Sequence, residues 1–164
     1  MKDIGEFSKI IDTVTEMLSA SPELSEAEIV PEYRFETRPY PLAVTMVTVG
    51  LLSAETYPAS LGDYLGDSGD TLGTLWGRKA DITLSVNVYA PVSGGGAGCF
   101  KTMAAIVDFL MLSPVLPSVK ITCSPAAYDD SAEAYRMDGA VSFQAVAAIC
   151  SDDDMFSSTA VRRD

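Results

Sequence analysis

The segment with the most chemical suggestion is Ser93-Gly94-Gly95-Gly96-Ala97-Gly98-Cys99-Phe100-Lys101-Thr102. It lies between a strand pattern and a helix pattern, the setting in which backbone N–H groups cradle phosphates. A phosphate loop needs its lysine directly after the last glycine, and here Cys99 and Phe100 intervene. The spacing also misses the dinucleotide fingerprint, so the segment reads as a flexible connection or a close-fitting backbone surface. Asp63, Asp67 and Asp70 stand among glycines, as acids of a calcium loop do. They lack the alternation of ligands and the closing glutamate, and Asp-Gly and Gly-Asp turns account for them. Cys99, Cys123 and Cys150 are odd in number and widely spaced, with no CxxC. They read as buried, reduced thiols rather than a zinc or redox motif. There is no histidine, which removes Ser-His-Asp and Cys-His mechanisms and every histidine metal site from this chain. The expectation is no catalytic residue, no cofactor and no metal.

Charge excludes a further class. The net charge is −12, from 11 basic and 23 acidic residues. Residues 1–28 carry a net −5, whereas 82–128 carry +1. With no basic patch, the chain cannot hold nucleic acid by counterion release. Its acidity serves solubility, or makes a surface that DNA passes without sticking. No apolar run reaches the roughly 20 residues of a membrane span, and the acidic start does not read as a secretory signal.

The elements that position these residues follow from periodicity. Ile4, Phe7, Ile11, Val14 and Leu18 make one apolar stripe of a helix that Ser21-Pro22 ends. Ile29 to Arg38 reads as a strand framed by Pro31 and Pro39. Leu42 to Ala54 is apolar on both faces, which calls for cover on both sides, a helix on one and a neighbouring subunit on the other. Ala80 to Tyr89 alternates cleanly, a helix spans about 99–112, and strands follow at 119–123 and 139–150. Between 123 and 139 a polar connector carries Asp129 and Asp130. The class is α+β: a mainly antiparallel sheet, two helices packed on one face and a long hairpin excursion. Residues 1–150 form one domain, and 151–164, opening on Asp152-Asp153-Asp154, form a polar tail.

The excursion, 55–79, is punctuated by glycine and aspartate and reads as an extended loop. It nevertheless carries Tyr57, Leu61, Tyr64, Leu65, Leu72, Leu75 and the sole tryptophan, Trp76. So many large apolar side chains need a partner, either the same domain or a neighbouring chain.

Taken together, the segments Ile4–Leu18, Ile29–Ala54, Ala80–Leu112 and Val119–Cys150, with the closing strand Gly139-Ala-Val-Ser-Phe143-Gln-Ala-Val-Ala-Ala-Ile149, resemble tail terminator (tail completion) proteins of long-tailed phages and phage-derived contractile particles. The resemblance implies a structural virion protein: a homohexameric ring that caps the tail tube, stops its polymerisation and joins it to neck, head or collar. It implies self-association and contact with the tail tube protein, the sheath and a head–tail connector. DNA passes non-specifically, no membrane is involved, and assembly takes place in the host cytoplasm. On that reading Asp63, Asp67, Asp70, Asp129 and Asp130 are candidates to face the channel. Two alternatives stay open: another neck, tube or baseplate subunit of such a particle, and a small-molecule-binding α+β protein. The long excursion departs from the smallest members of the family.

Overall fold

A computed structural model describes residues 7–32, 41–58, 61–67, 74–114, 116 and 119–150. Helix α1 (Phe7–Ser19) leads to β1 (Glu28–Pro31), β2 (Met46–Pro58), β3 (Tyr64–Asp67) and β4 (Thr74–Ala90). Helix α2 (Gly95–Leu112) follows, then β5 (Lys120–Cys123), β6 (Ala127–Asp129) and β7 (Ala134–Cys150). The seven strands form one mixed sheet in the order β1-β2-β4-β7-β5, with β3 paired to β4 and β6 to β7. β1 runs parallel to β2, while β3–β4, β5–β7 and β6–β7 are antiparallel. The class is α+β, as the periodicities require.

The chain divides into two compact units: residues 6–53 with 82–143, and residues 54–81 with 144–164 and 1–5. β2, β4 and β7 each supply residues to both. In the larger unit, Ile82, Leu84, Val86, Val88 and Ala90 are at most 1% exposed, one full row of β4. Val141 and Phe143 of β7 and Val47 and Val49 of β2 join this core. From α1 come Ile11, Val14 and Leu18; from α2, Cys99, Met103, Ile106 and Leu110. Helix α2 sits close on the strands because small residues allow it. A Cβ on Gly98 would meet that of Ala90 at 3.1 Å, and one on Gly139 would meet Met103 Cε at 3.1 Å and the Val86 carbonyl at 3.0 Å. Helix α1 ends as the sequence dictates, with Ser21 N–H donating to the Leu18 carbonyl before Pro22 turns the chain.

Several expectations are corrected. Helix α2 is 18 residues long with a mean hydropathy of 1.4, so one helix is long and apolar enough to cross a membrane by length and composition. Lys101 and Asp108 are too few to lower its hydropathy further. Its contacts with β4 and β7 are those of a core helix with one face on a sheet. The double burial of the second strand holds only for Met46–Gly50; Leu51 and Leu52 are 38% and 63% exposed. The Glu32 carboxylate fills the space that Gly50 leaves and accepts a hydrogen bond from Ser85 Oγ at 3.2 Å. Cys123 is exposed, since β5 is a four-residue strand at the end of the sheet order; Cys99 is buried. The last strand begins at Ala134 rather than 139, and part of the polar connector is β6. Phe7 is the first described residue of the N-terminal stripe, and the tail 151–164 lies outside the described residues, as do 33–40 of the first expected strand.

Core packing sets the first prediction. Leu84→Ala should lower unfolding free energy by about 2–5 kcal/mol in urea titrations, the usual cost of such a truncation in a close-packed core. Leu112→Ala, at a position 84% exposed, should change it by no more than about 0.5 kcal/mol.

Candidate functional site: the hairpin and the Asp129 turn

Two places gather the residues singled out from sequence. The first is the excursion, which is largely strand: β2 runs to Pro58, a 3-10 turn occupies Leu61–Asp63, and β3 pairs with the start of β4. Tyr64 and Trp76 are cross-strand partners, and their rings meet edge to face at 5.7 Å and 72°. Such a pair adds about 0.5–1.5 kcal/mol beyond its buried area. Tyr64 is still 41% exposed. The turn at Gly62 (φ 73°) and Asp63 (φ 62°) places two successive residues in the left-handed region, and Arg78 Nε lies 3.7 Å from Asp63 Oδ2. Asp63 Oδ1 and Trp76 Nε1 are buried atoms without a hydrogen-bond partner among the described residues. Gly66, with φ 137°, sits at the register shift that separates the Tyr64 pair from the Gly66–Leu75 pair.

Tyr57 lies on β2 and is held by a polar ladder that crosses three strands. Gln144 Nε2 of β7 donates to Tyr57 Oη at 2.6 Å and to Asp81 Oδ1 of β4 at 3.1 Å; Tyr57 Oη donates to Asp81 Oδ1 at 3.2 Å. Lost hydration, and then the neighbouring Asp81, hold the Tyr57 hydroxyl above its ordinary pKa. The ladder keeps the strands in register, a role that the sequence did not announce because Asp81 and Gln144 are 63 residues apart. Leu61, Leu65, Leu75 and Asp67 fall on described backbone, and Leu72 and Asp70 lie outside the described residues.

The second place is the β6–β7 turn, in the larger unit. Asp129 Oδ1 accepts hydrogen bonds from Ser131 Oγ (2.5 Å), Ser131 N–H (3.0 Å) and Ala132 N–H (3.3 Å). Glu133, at φ 47°, completes the turn. Arg136 Nε lies 2.6 Å from Asp138 Oδ1 and its Nη1 3.5 Å from Asp129 Oδ2, and the guanidinium sits 5.5 Å from the Tyr89 ring centroid. Asp138 in turn donates its backbone N–H to Ser124 Oγ at 3.0 Å. Arg136 is thus shared between two carboxylates and a ring, so it is a brace for the hairpin rather than a free cation. Asp130, beside it, is exposed.

No group of three or more metal-ligating side chains occurs among the described residues. Burial pushes the Cys99 thiol up, and its Sγ lies 3.3 Å from the Tyr135 carbonyl. A thiol so placed is a poor nucleophile. At the glycine-rich turn, Gly95 takes φ 57° and Gly94 caps α2 without a side-chain hydrogen bond. The turn is a backbone feature made possible by glycine, as its spacing implied.

No protein-family model matches the chain, and no curated protein matches it. Among solved structures, a chain described as "Virion of native gene transfer agent (GTA) particle" is similar, with 19% identity and a TM-score of 0.41. The likeness covers 82% of this chain and 92% of that one.

The Asp129 turn gives a pH prediction. The Ser131 hydroxyl, followed by the Ala132 and Ser131 N–H groups and Arg136, holds the Asp129 carboxyl below its ordinary pKa, against some loss of hydration. A depressed folded-state pKa stabilises the fold above the unfolded value, and that contribution is lost as pH falls through the folded one. Asp129→Ala should therefore cost about 1 kcal/mol at neutral pH. In acid unfolding series, the gap from the parent protein should persist down to the ordinary carboxylate range and narrow only as pH falls below it.

Proposed function

We propose that this chain is a structural subunit of a phage-derived particle and, within it, a tail terminator: a ring that caps the tail tube. One observation carries the reading. Part of β2 is exposed on both faces, where a sheet in a self-sufficient domain is covered on at least one. Residues 51–56 of β2 are exposed without interruption, and Tyr64 and Val146 stand 41% and 53% exposed. Exposed apolar strands of this kind are finished by a neighbouring chain. The element order among the described residues supports it as well: helix, strand pair, hairpin, glycine turn, helix and closing strands occur in the order that the sequence resemblance implies. The reading does not rest on the virion-chain likeness.

In this reading Tyr57, Leu61, Tyr64, Leu65, Leu72, Leu75 and Trp76 belong to the subunit or partner interface. Asp63, Asp67, Asp70 and Asp130 supply acid toward the channel or ring surfaces, with Asp129 beside them but engaged in its own turn. A wall of like charge keeps a passing phosphate backbone mobile. The partners are further copies of the chain, the tail tube, and the sheath, neck or connector, assembled in the host cytoplasm. The activity is assembly; no reaction is assigned.

The test is genetic. Particles made without this protein should carry tail tubes of uncontrolled, excessive length in electron micrographs, restored to uniform length by the protein in trans. Tubes of normal length that fail only to join a head point to a neck subunit, and an absence of tubes points to a tube or baseplate subunit; either result overturns the terminator reading.

A further inference from the structure

The edges of the smaller unit say how copies join. Its strands lie in the order β2-β4-β7, so β2 and β7 present the two outer edges. β5 pairs with β7 only up to the Lys120–Ser142 pair, and β6 pairs nearer its start. Among the described residues no strand lies beyond, along the outer edge of Gln144–Cys150. On the other side, β1 pairs with β2 only as far as Val49, and no described strand flanks Ala54–Pro58.

An open edge is a row of unpaired N–H and C=O groups, and proteins that stay apart protect it with lysine, other charges or proline. Gln144-Ala-Val-Ala-Ala-Ile-Cys150 has none of these, in a chain where 21% of residues are charged. Val146 is 53% exposed on it. This is the sequence of a strand meant to be paired. The backbone chemistry calls for another strand, and charge selects which surface of an acidic chain can supply it. Two copies each carrying −12 repel one another except where they meet through neutral surfaces. Gln144–Cys150 is neutral, and Ala54–Pro58 carries Glu55 as its one charge, so pairing these two edges opposes no like charges, and Pro58, without an N–H, marks where the ladder ends. The Gln144–Tyr57–Asp81 ladder holds both edges at a fixed spacing across β4.

We propose that the outer edge of Gln144–Cys150 pairs with the outer edge of Ala54–Pro58 of a second copy, joining subunits head to tail into one continuous sheet. A contact between two different edges repeats from copy to copy, and closes when the rotation does. This deepens the ring reading and rests on it.

The experiment is hydrogen exchange on the wild-type protein, assembled and diluted, read with the mass of the species. In the assembled protein the amides of 144–150 should exchange about tenfold or more slowly than after dissociation, while those of Ile82–Val88 stay protected in both. Val146→Lys should leave the Ile82–Val88 protection intact and shift the mass to that of a single chain; Val146→Thr, which keeps strand preference without charge, should assemble. An assembled protein whose 144–150 amides exchange as fast as in the dissociated one overturns the edge contact and leaves the ring standing. A wild-type chain that stays single at every concentration overturns both.

Discussion

The buried row of β4 is the constraint from which the rest follows. Ile82, Leu84, Val86, Val88 and Ala90 must all be kept from water, at roughly 25 cal/mol for each Å² of apolar surface removed. β2 and β7 lie on either side of β4, and α2 lies across them with Gly98 and Gly139 admitting its close approach. Once that layer forms, the lengths of β2, β4 and β7 carry each strand past the core. The side chains of 51–56 in β2 are exposed on both of its faces.

Both units hold closed polar contacts, the Tyr57–Asp81–Gln144 ladder being that of the smaller one, but two buried atoms in the smaller unit are left over. In the larger unit they close on themselves: Asp129 and Asp138 share Arg136, and Glu32 takes the space that Gly50 leaves. In the smaller unit, Asp63 Oδ1 and Trp76 Nε1 have no partner among the described residues, although both atoms are buried. A buried unpaired polar atom is rare in a finished structure and needs a reason. A sheet completed only on assembly supplies one for this unit.

The strongly periodic segments were legible in the sequence. Alternation in 80–89 located the end of β4 but not its start at Thr74, and the three-and-four spacing over Ile4–Leu18 located α1, which is described from Phe7 to Ser19. The start of β7 was not legible, because Arg136 and Asp138 look like connector residues until their mutual contact at 2.6 Å neutralises both on one side of the strand. The excursion read as loop for a related reason. Its glycines and aspartates do make turns, at Gly62-Asp63 and Gly66, but only brief ones, and strand resumes between them. Burial of Cys123 was misread because alternation reports a pleat without reporting what covers it, and β5 lies at the end of the sheet. The residues Tyr57, Tyr64 and Trp76 were found by type alone; the ladder to Asp81 and Gln144 was invisible, since contacts across 63 residues leave no local pattern.

The central claim is that the exposed hairpin makes this chain an assembling subunit. The most direct measurement is the mass of the purified protein in solution, by light scattering behind size exclusion, across a concentration series at physiological salt. The account predicts a discrete species several times the mass of one chain, ring-shaped in negative-stain images. A single-chain mass at every concentration, with or without tail tubes present, would contradict it.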